Sequence, residues 1–266
     1  MTLKLLDWNV YCENGNTRAV TEFISAQNAD IVCLQEVSEE LLARLSRLPT
    51  HALATALDEY RVKNGKHIPS YLVIMTNLTV TEVRAVKFKR QPKRSLLALF
   101  ARWLRIEECL EYQYADVLFM RGTVLKKPVP IRIFNTHLES IAGPKHRIAR
   151  FTQVLKSFAA GKRNIVCGDL NVLRAWYSFL WRLFLKFLQG ELVTWEELWI
   201  KEYKVFEKMF EKAHLFNVFN GATTHEWSGN QLDYILVPQG TEIARKTLFE
   251  ETHGSDHKPM LVEFRL

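Results

Sequence analysis

Short apolar runs that end in polar residues recur along the chain. Lys4-Leu5-Leu6-Asp7-Trp8-Asn9 predicts a first strand, and Thr17 to Asn28 places Val20, Phe23 and Ile24 at helical spacing. Ile31 to Glu36 reads as a strand, and Ser38 opens a helix with Leu41, Leu42 and Leu45 on one face. Tyr71–Met75, Thr79–Phe88, Val117–Leu125 and Ile131–Asn135 are strand-like, the last two joined by a turn through Lys127-Pro128. His146 to Ala160 is amphipathic and helical, with Gly161 as its stop. Asn164–Cys167, Leu232–Val237 and Met260–Leu266 complete the strands. Helices and strands in this mixed order predict two sheets packed face to face with helices outside, rather than an alternating parallel sheet.

The polar residues at the strand ends form a set of their own. They are Asn9, Glu36, His137, Asp169 with Asn171, Asp233, and Asp256 with His257. A sheet delivers the ends of its strands to one rim, so residues scattered along the chain are brought to a shared site. That makes the joint pattern far more specific than any one member. Composition narrows the rest. With 266 residues and 48% hydrophobic content the chain can bury a large core, and we expect one domain over 1–266. Four cysteines without C-x-x-C spacing argue against a zinc site or a disulfide framework and suit a reducing compartment. The N-terminus reads as a strand rather than a signal peptide, no uncharged apolar run spans a bilayer, and a cytoplasmic location is expected.

Asp7-Trp8-Asn9-Val10, Leu34-Gln35-Glu36-Val37, Asn135-Thr136-His137-Leu138-Glu139-Ser140, Gly168-Asp169-Leu170-Asn171, Gln231-Leu232-Asp233-Tyr234-Ile235 and Gly254-Ser255-Asp256-His257 together resemble, in order, the motifs of the endonuclease/exonuclease/phosphatase superfamily. The resemblance spans nearly the whole chain, and its Thr-His-Leu-Glu-Ser run is most similar to the 5′-tyrosyl-DNA phosphodiesterase branch. It implies a DNase I-like four-layer α/β sandwich and Mg²⁺- or Mn²⁺-dependent hydrolysis of a phosphate ester. Tyr11 stands where several nucleases of this fold carry an acidic residue, so the resemblance supplies no second metal position.

Phosphodiester hydrolysis needs charge neutralisation, an oxygen nucleophile and a stabilised leaving oxygen. Glu36 is a hard oxygen donor suited to Mg²⁺, with the Asn9 amide beside it and Asp256 as a further, water-mediated contact. Asp169 is the expected general base, and Asn171 orients the water or a phosphate oxygen. His257 is expected to donate to the phosphate, with Asp233 fixing its tautomer and raising its pKa. By resemblance, His137 is a phosphate clamp or an acid to the leaving group. The remaining histidines, His225 among them, read as structural.

Two segments, at about 87–105 and 172–213, exceed what these motifs require. The first joins Arg90, Lys93 and Arg94 to an apolar helical stripe from Leu96 to Leu104. The second carries Trp176 within an apolar stripe from Leu173 to Leu188, followed by the capping-box pair Thr194 and Glu197. With Trp227, these basic and aromatic residues are the candidate substrate contacts. A net charge of +7 favours a polyanionic partner. Nucleic acid is the leading expectation, bound by a monomer. A membrane surface bearing a phospholipid or sphingolipid headgroup is the alternative, and a non-catalytic binding module a minor one.

Overall fold

The computed structural model describes residues 2–48, 51–63, 66–89, 110–119, 128–140, 144–172 and 201–265. The strands among them are β1 (Thr2–Asn9), β2 (Ile31–Val37), β3 (Ala52–Lys63), β4 (Lys66–Thr76), β5 (Thr79–Lys87), β6 (Glu111–Phe119), β7 (Val129–Thr136), β8 (Arg163–Asp169), β9 (Leu215–Asn217), β10 (Asp233–Pro238), β11 (Glu242–Leu248) and β12 (Met260–Arg265). The helices are α1 (Thr17–Gln27), α2 (Glu39–Leu45), α3 (Pro144–Lys156) and α4 (Glu202–Lys212). The strands form two six-stranded mixed sheets, ordered β11-β12-β1-β2-β4-β3 and β5-β6-β7-β8-β10-β9.

Strand alternation sorts the side chains into layers. On β1, Leu3 and Leu5 face the core between the sheets, whereas Leu6 and Trp8 face α1 and α2. On β8, Ile165 and Cys167 face the same inter-sheet core and Val166 faces outward, where α3 contributes Phe151 and α4 contributes Phe206 and Phe210. The result is a four-layer α/β sandwich of DNase I-like architecture. Local chemistry sets several boundaries. The Leu41 N–H donates to the Ser38 hydroxyl at 3.3 Å, capping α2, and Asn28 closes α1 in the left-handed region.

The elements differ from the expected ones chiefly at their edges. β6 begins at Glu111, six residues before the expected Val117, and pairs antiparallel with β7; residues 120–127 of their connection lie outside the described set. α3 runs from Pro144 to Lys156 rather than from His146 to Ala160, so Gly161 sits in the following turn. The strands β3, β9 and β11, which the sequence pattern does not announce, all lie at sheet edges. An edge strand such as β11, with its Glu242 and Arg245 in solvent, need bury little and so carries a weak alternation.

The inner-face columns also position the site. Each is apolar at one end and turns polar at the other without leaving the interior. Leu3 and Leu5 lead to Asp7 and Asn9, and Ile31 and Cys33 to Gln35. Ile131 and Ile133 lead to Asn135 and His137, Ile165 and Cys167 to Asp169, and on the antiparallel β10 Val237 and Ile235 lead to Asp233. An amide tier separates the apolar core from the outermost groups. Gln35 Nε2 donates to Asp7 Oδ1 and Asn135 Oδ1, both at 2.8 Å, and Asn135 Nδ2 donates to the Leu34 carbonyl of the opposite sheet, also at 2.8 Å.

Gly168 holds this arrangement at β8. Its φ is +128°, and a Cβ there would lie 1.9 Å from the Thr136 carbonyl oxygen on β7. Neither the conformation nor the space admits a side chain. Gly168→Ala is therefore expected to destabilise the fold by about 3 kcal/mol or more, read as a fall in the thermal midpoint. A midpoint within a degree or two of the parent would contradict this strand packing.

Candidate active site

Where the columns turn polar, a cleft of about 390 Å³ opens between the sheet ends. Glu36, His137, Asp169, Asn171, Asp256 and His257 line it together with Tyr11, Glu59, Arg61 and His225. Asp169 lies at its centre. Its Oδ2 accepts from Asn9 Nδ2 at 3.2 Å and lies 3.8 Å from His137 Nε2 and 3.7 Å from His257 Nε2. Its Oδ1 accepts from the Asn171 N–H at 2.8 Å, while Asn171 Nδ2 donates to the Leu138 carbonyl, also at 2.8 Å. Burial first, and then the Asp233 charge, raise the Asp169 carboxyl to about 6.

The two imidazoles are each backed by a buried carboxylate. Asp233 Oδ2 meets His257 Nδ1 at 2.7 Å, and Asp58 meets His137 Nδ1 at 3.1 Å with both oxygens. Burial alone would lower the His257 pKa, but Asp233, and after it Asp169, raise it to about 10. In the neutral range His257 is therefore a cation with Nδ1 on Asp233 and Nε2 turned towards Asp169. Asp233 lies opposite Asp169 in the β8–β10 ladder, so strand register fixes the relation of the two acids.

Glu36 reaches the cleft by a different device. Regular alternation would turn this residue to the helix side of its sheet. The β2–β4 register shifts between Leu34 and Val37, and Glu36 adopts φ +56°, which directs it into the cleft. The edge strand β3 of the same sheet, beyond β4, is bulged as well, between Leu57 and Tyr60, where it presents Asp58 and Glu59. The Glu36 N–H donates to Asp58 Oδ2 at 3.0 Å, coupling the two bulges. Asn9 Nδ2 bridges Glu36 Oε1 and Asp169 Oδ2, joining both carboxylates.

Burial works to raise the Glu36 carboxyl, but Arg61, His137 and the Asn9 amide bring it below the ordinary range. Glu59 is pushed up to about 7, by burial and then by Glu36. Arg61 bridges the pair, with Nη2 2.5 Å from Glu36 Oε2 and Nε 2.8 Å from Glu59 Oε1.

These residues fit a divalent cation. Glu36 and Glu59 offer hard oxygen donors whose ligand atoms, with Cys12 Sγ, lie within 4.8 Å of one another. A positive group of the chain itself already sits on both carboxylates, as expected where charge neutralisation is required. Asp256, also expected near a metal, forms with His225 and His257 a second group whose ligand atoms lie within 4.8 Å of one another, Oδ2 being 3.5 Å from His225 Nε2 and Oδ1 3.9 Å from His257 Nε2. Asn9 directs its Nδ2 at the carboxylates and accepts the Tyr11 N–H at Oδ1, so its contacts are those of a bridging donor and acceptor.

His225, expected to be structural, is tied into its loop by Ser228 and Asn230 and also lines the cleft, with its ring 4.7 Å from that of His257. The Ser228 N–H donates to its Nδ1 at 3.1 Å, which leaves Nε2 for Asp256. Trp227, between the lining residues His225 and Ser228, is 88% exposed. Arg90, Lys93, Arg94 and Trp176, the apolar stripes 96–104 and 173–188, and the pair Thr194 and Glu197 lie outside the described residues. Asp58, Glu59 and Arg61 escaped the sequence reading. The one signal for them is an acidic doublet interrupting the run Ala52 to Tyr60.

The model of the Endonuclease/Exonuclease/phosphatase family matches residues 8–257, a span from Trp8 to His257 that takes in the cleft. The chain belongs to this family. Its members hydrolyse phosphate esters and typically use divalent metals, and the acidic groups described above could hold one. No curated protein matches the chain. Among solved structures, the human Nocturnin catalytic domain with bound sulfate shares 17% identity at a TM-score of 0.65, covering 99% of this chain and 93% of that one. A humanized D. rerio TDP2 shares 15% at 0.58, covering 100% and 99%. ANGEL2, described as a 2′,3′-cyclic phosphatase, shares 16% at 0.60, covering 99% and 95%. At these identities the likeness establishes the fold.

The raised pKa values of Asp169 and His257 set an expected pH dependence. As pH rises through about 6, Asp169 ionises and becomes able to accept a proton; as pH approaches about 10, His257 loses its own. kcat/KM should therefore rise through the first value and fall towards the second. Asp233→Asn should move the falling limb to lower pH. A profile measured in overlapping buffers that keeps its upper limb in this variant would contradict the pairing.

Proposed function

We propose that the chain is a divalent-metal-dependent phosphodiesterase that cleaves a phosphate ester of nucleic acid by in-line attack of water. The observation that carries this reading is the convergence on one oxygen, Asp169 Oδ2, of Asn9 and both imidazoles from three separate strand ends. A carboxylate so placed can take a proton from water while donors beside it hold the phosphate.

In this mechanism Asp169 accepts the proton of the attacking water, and Asn171, fixed on the Leu138 carbonyl, keeps the Asp169 carboxylate oriented through its own N–H. His257, charged through its pairing with Asp233, donates from Nε2 to a phosphate oxygen and stabilises the charge that builds in the transition state. His137, held at Nδ1 by Asp58, is placed to protonate the leaving oxygen. Glu36, with Glu59 beside it, would hold the metal. When bound, Mg²⁺ or Mn²⁺ supplies Lewis-acid neutralisation of the phosphate.

The net charge of +7 supports a nucleic-acid substrate. The exposed Trp227 ring beside the cleft suits stacking on a base. The membrane-surface alternative rests on the segments 96–104 and 173–188 and forms one arm of the test.

The test is hydrolysis of single- and double-stranded DNA and RNA, 5′-phosphotyrosyl oligonucleotides and sphingomyelin vesicles, with Mg²⁺, Mn²⁺ or EDTA. Metal-dependent turnover of a nucleic acid is expected, and Asp169→Asn should lower kcat by roughly 10²- to 10⁴-fold with the fold intact by circular dichroism. Turnover confined to the lipid would transfer the reading to a headgroup phosphodiesterase. Unchanged rates in Asp169→Asn would remove the assigned base.

A further inference from the structure

Among the described residues that line the cleft, Arg61 alone carries a permanent positive charge, and it rests on the two carboxylates that a divalent ion would use. The competition is for one carboxylate. Glu36 Oε1 accepts from Asn9 Nδ2 at 3.1 Å, and Oε2 accepts from the Cys12 N–H at 3.3 Å and lies 2.5 Å from Arg61 Nη2. A divalent ion on Glu36 would stand beside that guanidinium, and the two positive charges repel.

Arg61 is also free to yield. Its side chain remains 32% exposed, and a different nitrogen, Nε, carries the contact to Glu59 at 2.8 Å. The guanidinium carbon stands 5.4 Å from the centre of the Tyr11 ring, itself part of the cleft wall. A side chain anchored at Nε can swing its terminal nitrogens off Glu36 without leaving Glu59.

Resting on the metal-dependent reading above, we propose that Arg61 is an internal competitor for the metal position: it neutralises Glu36 until a divalent ion displaces it, and the displaced guanidinium, tethered to Glu59, becomes a contact for the substrate phosphate. The chemistry suits both states. Two buried carboxylates facing each other need a cation when no metal is present, and a planar guanidinium binds carboxylate and phosphate oxygens with the same fork of donors. Lysine would provide charge without that fork.

The test is a titration of the whole chain with Mn²⁺, followed by the electron paramagnetic resonance signal of the free ion, for the parent, Arg61→Met, Arg61→Lys and Glu36→Gln. Arg61→Met is expected to bind Mn²⁺ about fivefold more tightly or better, the lower end of ordinary coupling between two ligands. Arg61→Lys should fall between it and the parent, and decides the matter with the same sign should Arg61→Met fail to fold. With saturating Mn²⁺, the KM of Arg61→Met for bis-p-nitrophenyl phosphate should rise by roughly tenfold through the lost phosphate contact. Unchanged or weaker Mn²⁺ binding in the Arg61 variants, with binding lost in Glu36→Gln, overturns the competition and leaves the metal reading standing. Parent-like Mn²⁺ binding by Glu36→Gln overturns the metal site itself and this proposal with it.

Discussion

Confinement of like charges at one end of a dry layer governs this structure. Asp7, Glu36, Asp58, Glu59, Asp169 and Asp233 are all buried at the polar end of the inter-sheet core. Carboxylates this close cannot all stay ionised unless cations and donors are built around them. The chain meets the requirement in several ways at once. His257 is driven to the charged form, Arg61 bridges Glu36 and Glu59, and Asn9 donates to two acids. Asp7 is held well above the ordinary carboxyl range, by burial and then by Asp233. The surplus of acid that remains among these described residues is what a divalent ion would offset.

The same confinement relates packing to chemistry. The alternation that sends Ile165 and Cys167 into the core also sends Asp169 to the cleft, so the strand that packs the core positions this carboxylate too. Precision of this kind favours catalysis by preorganised groups, because little rearrangement is needed when substrate arrives. The bulges at Glu36 and at Asp58 with Glu59 are departures from that regularity, and both bring carboxylates to the cleft.

What could be read in the sequence follows from the same geometry. Asn9, His137, Asp169 and Asp233 end apolar alternations, so their common destination was visible in the spacing, whereas His257 stands three residues before Met260, outside the alternation of β12. That Glu36 faces the cleft was not deducible from alternation, which points it the other way; only the register shift shows how it gets there. Asp58, Glu59 and Arg61 lie on an edge strand with weak patterning, and Glu36 and His137, which Arg61 and Asp58 contact, are distant in the chain. The role of His225 depends on a hydrogen bond from Ser228 in a loop, which leaves no periodic trace. The four layers were legible because the strands that build them are hydrophobic on both faces.

The pairing of β1 with β12 has a further consequence. The first strand supplies Asn9, yet its neighbour is the last strand, and the Trp8 indole N–H donates to the His257 carbonyl across 249 positions of sequence. The pairing joins segments far apart in the chain, so the part of the site on β1 is completed only by a long-range contact. Asn9 and the imidazole of His257 therefore meet at one carboxylate, Asp169, through this contact, which sets Met260–Arg265 beside Thr2–Asn9.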